Sequence, residues 1–136
     1  MSPGAAAADE VVRLTGVYHA EGSLLGELRY LVGRTLGRTH CALCDITHGS
    51  VRIKPAWVAA RSRLPVPFDA VHLDERSPEL EAVTAGRTPC VVAHTGTGLD
   101  VILGPANLAA CEGEPEALVD AIIGAVDRRG WSYLIS

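Results

Sequence analysis

Two apolar runs, Cys90-Val91-Val92-Ala93-His94 and Leu99 to Leu103, flank the four residues Thr95-Gly96-Thr97-Gly98. β-prone runs joined by a short glycine-bearing link form an antiparallel hairpin. A chain containing this segment therefore builds a sheet, and the helical patterns on either side must pack against it. Ahead of the hairpin, Ser77-Pro78-Glu79 offers a cap, a first-turn proline and an early acid, and Gly86 closes the helix they open. Beyond it, Leu118, Val119, Ile122, Ile123 and Val126 form the apolar face of a final helix after Glu114-Pro115.

The first half has the same alternation. Val11 to Tyr18 reads as a strand, His19 to Gly22 turns the chain, and Ser23 can cap a helix starting at Leu24. Leu24, Leu25, Leu28, Leu31, Val32 and Leu36 recur at helical spacing. Gly26, Gly33 and Gly37 lie on that helix, each costing about 1 kcal/mol against alanine. Close packing against another backbone, or room for a ligand or partner, would account for them. Lys54-Pro55-Ala56-Trp57 starts a short helix that Leu64-Pro65-Val66-Pro67 breaks, and Phe68 to Asp74 reads as a strand.

The chain of 136 residues is one domain long, and its 48% apolar content is enough for a core without disulfide staples. Residues 1–10 are expected to be a disordered, small-residue tail, lacking the basic start and apolar run of a signal peptide. Residues 11–136 are expected to form a single α/β domain, with an inserted segment over 38–66. Sixteen acidic and twelve basic side chains leave a net charge of -4, with no basic stripe. No nucleic-acid partner is expected on that balance. No apolar stretch approaches the roughly 20 residues of a membrane helix. A cytoplasmic setting follows as the expectation, and there four cysteines suit metal or redox chemistry better than structural bridges.

The chemistry concentrates in His40-Cys41-Ala42-Leu43-Cys44-Asp45-Ile46-Thr47-His48, followed by Gly49. On a helix, Cys41, Cys44 and His48 stand at i, i+3 and i+7 and share one face. Two thiolates and an imidazole suit zinc or copper. Asp45 could ligate or orient a ligand, and His40, His19, Cys90, His94 or water could take a fourth position. A redox alternative has Cys41 as a thiolate near the helix N-terminus, with His40 beside it and Cys44 as the resolving thiol. A third alternative is an interaction module without chemistry, using the glycine-lined helix. Cys90 and His94 are otherwise core or sheet residues, and Cys111 falls in a polar loop. His72 alternates along a strand as a surface or edge residue, and Glu27 and Arg29 are solvated charges, Glu27 also being able to support a ligating histidine.

With the cysteine-bearing insert set aside, the element order, with Thr88-Pro89 directly before the hairpin, resembles the thioredoxin-like superfamily over residues 11 to 129. The resemblance implies a βαβαββα core with a cis Pro89 facing the active site and positioning a mixed-disulfide partner. Thioredoxins carry their Cys-x-x-Cys between the first strand and first helix, where this chain has Tyr18-His19-Ala20-Glu21-Gly22-Ser23. The segment Gly26-Glu27-Leu28, Tyr30, Gly33, Gly37, His40-Cys41 and Cys44 to Gly49 is also similar to one in small bacterial proteins of unsettled function.

Overall fold

The structure is a computed structural model that describes residues 7–19, 43, 46 and 54–134. Among the described residues, β1 (Glu10–Val17) is followed by α1 (Pro55–Arg61), β2 (Phe68–Val71), a 3-10 turn (Leu73–Glu75) and α2 (Pro78–Thr84). The hairpin strands β3 (Cys90–Thr95) and β4 (Gly98–Leu103) come next, then α3 (Pro105–Ala109), α4 (Pro115–Arg128) and β5 (Ser132–Tyr133). The protein is thus a mixed α/β fold.

The five strands form one mixed sheet with the order β2-β1-β3-β4, and β5 also pairs with β1. β1 runs parallel to β2 and β5 and antiparallel to β3, which is antiparallel to β4. The two inner strands explain the composition of their segments. β1 and β3 are covered on both faces, so Leu14 to Val17 and Cys90 to Ala93 are buried without a break. At the edge, β4 keeps exposed and half-buried residues over its first four positions.

One face of the sheet carries the larger core. Leu14, Tyr18, Phe68, Val91 and Ala93 pack there with Trp57 and Ala60 of α1 and with Leu118, Ile122 and Val126 of α4. The opposite face holds Val17, Cys90 and Val92 under Leu80 and Val83 of α2. A register irregularity between Val11 and Arg13 opposite β3 lets Val11 and Leu14 join the same core despite their odd spacing.

Local signals set several boundaries. Ser77 Oγ accepts the Leu80 N–H at 3.2 Å to open α2, and Gly86 adopts φ 73° just after the helix. β2 is shorter than the expected Phe68 to Asp74. Glu75 Oε1 accepts the His72 backbone N–H at 2.7 Å, which closes a 3-10 turn and draws His72 out of the ladder. His72 is therefore a turn residue with a side chain 24% exposed, not an alternating strand position. The helix α3 has no signature in the sequence. Its five residues are too few to show a 3.6-residue period, and Cys111, which lies in the turn after them, is buried in the main core. Residues Ala7 and Asp9, expected in the tail, hold the sheet. Ala7 O accepts from Gly96 N–H at 3.1 Å, and Asp9 O accepts from Ser132 N–H at 2.9 Å.

Candidate functional site

The five residues with the strongest claim from sequence, Cys41, Cys44, His48, His40 and Asp45, lie outside the described residues, as do Glu27 and Arg29. Two neighbours lie inside them. Leu43 and Ile46 are helical, and both side chains are fully buried in the main core. Leu43 meets β1 where the strand has no side chain of its own: a Cβ on Gly16 would stand 3.0 Å from Leu43 Cδ2. Leu43 thereby lies against the central strand of the sheet.

One residue beyond Gly16 β1 ends, and a polar group follows it. Parallel strands direct their carboxyl ends to one edge, the edge where open α/β sheets bind ligands. The carboxyl ends of β1 and β2 are in register, since Val17 pairs with Val71 and Tyr18 N–H donates to Val71 O at 2.9 Å. The Tyr18 and His72 rings consequently meet, with centroids 5.1 Å apart and planes tilted by 50°. Glu75 Oε1 is 2.7 Å from His72 Nδ1, and the bonds from His72, the backbone one foremost, hold the Glu75 carboxyl below its usual range.

Across the sheet, Val17 pairs with Cys90, so His19 arrives beside Thr88 at the head of β3. His19 Nδ1 and Thr88 Oγ1 are hydrogen-bonded at 2.8 Å, and the Thr88–Pro89 peptide bond is cis, the isomer expected there. An imidazole bonded to a hydroxyl can pass or hold a proton at that edge. From sequence His19 stands only as a possible fourth ligand, with nothing to link it to Thr88. The signal was present in the two segments but became readable only with the β1–β3 pairing known.

The other sequence candidates are dispersed. Cys90 is fully buried on the second face, and burial pushes its thiol up to about 11. Cys111 sits on the opposite side of the sheet, also raised by burial. His94 is half-buried toward the far end of β3 from Cys90, where its Nε2 is 2.7 Å from Thr15 Oγ1. Desolvation first, and the Arg13 charge second, lower its proton affinity. Among the described residues, no three His, Cys, Asp or Glu side chains converge as a metal site. His19, Cys90 and His94 thus do not form one together. Nor is any helix among the described residues long and apolar enough to cross a membrane.

No protein-family model matches this chain, no curated protein matches its sequence, and no solved structure matches its fold.

Proposed function

We propose that this chain is a metal-binding protein that holds zinc or copper through Cys41, Cys44 and His48, with His40 and Asp45 beside them, in metal handling or redox sensing. The observation that carries the reading is the burial of Leu43 and Ile46 in helical conformation. A helix advances roughly 100° per residue. Were it to continue through positions 41 to 48, a helix with residues 43 and 46 in the core would carry positions 41, 44 and 48 on its other side. On that continuation the spacing would bring two sulfurs and an imidazole to one face, the donor set that zinc or copper takes. Such ligands would supply a closed structural site if a fourth donor joins them, and an open one if water does.

The overall architecture under this reading is thioredoxin-like with an insert. The strand order β2-β1-β3-β4, the antiparallel β3–β4 hairpin and Pro89 at the head of β3 support it. The same strand order favours a second reading, a thiol-disulfide oxidoreductase using Cys41 and Cys44 and a protein thiol or disulfide as partner.

Metal content decides the first reading. Protein purified under reducing conditions should carry close to one equivalent of zinc or copper, and His48→Ala, which removes a ligand outright, should lower that affinity by at least the roughly 10–100-fold that loss of a ligand's outer-shell partner costs. Metal-free wild-type protein that takes up neither ion on titration would refute it. For the second, a glutathione-buffer titration should yield a Cys41–Cys44 disulfide, and a chain that stays reduced at every ratio would remove it.

A further inference from the structure

We draw no further inference here: the strongest candidate, the Thr15–His94 pair joining β1 to β3 with Arg13, Asp69 and Glu79 around it, carries nothing, because its functional signature is the lowered proton affinity of His94 alone and the Thr15 hydroxyl serves a neutral and a charged imidazole alike.

Discussion

Replacing Gly16 by alanine tests whether the segment at Leu43 lies against the sheet. The new Cβ would stand 2.8 Å from Phe68 Cζ, 3.0 Å from Leu43 Cδ2 and 3.1 Å from Phe68 Cε1. Carbon atoms in favourable contact sit about 3.5–4.0 Å apart, so either a ring or the strand must move. Phe68 has little freedom to do so. It is 6% exposed, and its ring stands edge-on to Trp57 with centroids 5.0 Å apart and planes at 78°. Overpacking of this kind costs about 1–3 kcal/mol. Against that, alanine in place of a strand glycine recovers about 0.5–1 kcal/mol of backbone entropy. Crowding is the larger effect, and a net loss of roughly 0.5–2 kcal/mol is expected. Urea unfolding should show it as a lower midpoint with an unchanged slope. The discriminating measurement repeats Gly16→Ala in two backgrounds. In Leu43→Ala, itself costing about 2–5 kcal/mol, the added methyl should be less harmful by about 0.5 kcal/mol or more. Phe68→Leu removes the nearer atom and should relieve it further. An equal penalty in all three backgrounds, or a Gly16→Ala protein more stable than wild type, would refute the packing argument.

Other consequences follow from burial and hydrogen bonding. Iodoacetamide at pH 8 should leave Cys90 and Cys111 unlabelled in the folded protein and modify both in denaturant, because burial disfavours both thiolates; rapid native labelling of Cys90, read by mass spectrometry, would contradict this. His94 binds its proton less readily folded than unfolded, so its contribution to stability is complete above the unfolded pKa of about 6.5 and is lost as pH falls below it. His94→Gln should flatten that part of the stability–pH curve, and an unchanged slope would count against the assignment. Thr84 is fully buried, donates to Leu80 O at 2.7 Å and accepts from Arg76 at 3.1 Å. Arg76 is half-buried and keeps its 2.9 Å bond to Leu73 O, so Thr84→Val should cost about 0.5–1.5 kcal/mol for the lost hydrogen bond, whereas a neutral result by thermal melting would show that water or another group replaces the hydroxyl.

Residues close together in the chain announced much of the fold. The β3–β4 hairpin, the Ser77-Pro78 start of α2 with Gly86 behind it, and the Pro115 start of α4 each depend on contacts within a few residues, so their signatures survive in any tertiary setting. Where two local preferences competed, the reading ran too far. The apolar run from Phe68 suggests a strand to Asp74, yet the Glu75 carboxylate bonds the His72 backbone and ends it at Val71. Short elements such as α3 and β5 carry too few residues for a period to show, which is why the burial of Cys111 was not foreseen.

The polar edge follows a different logic. His19 and Thr88 are 69 positions apart, and neither segment specifies the other. They meet because β1 and β3 are the strands apolar enough to be covered on both faces, and pairing them in the middle of the sheet aligns Val17 with Cys90. Side-chain identity could nominate histidines, thiols and hydroxyls, since that chemistry belongs to each residue wherever it lies. Which of them share an edge was settled by the cooperative burial of two central strands, an energy that no short stretch of chain contains.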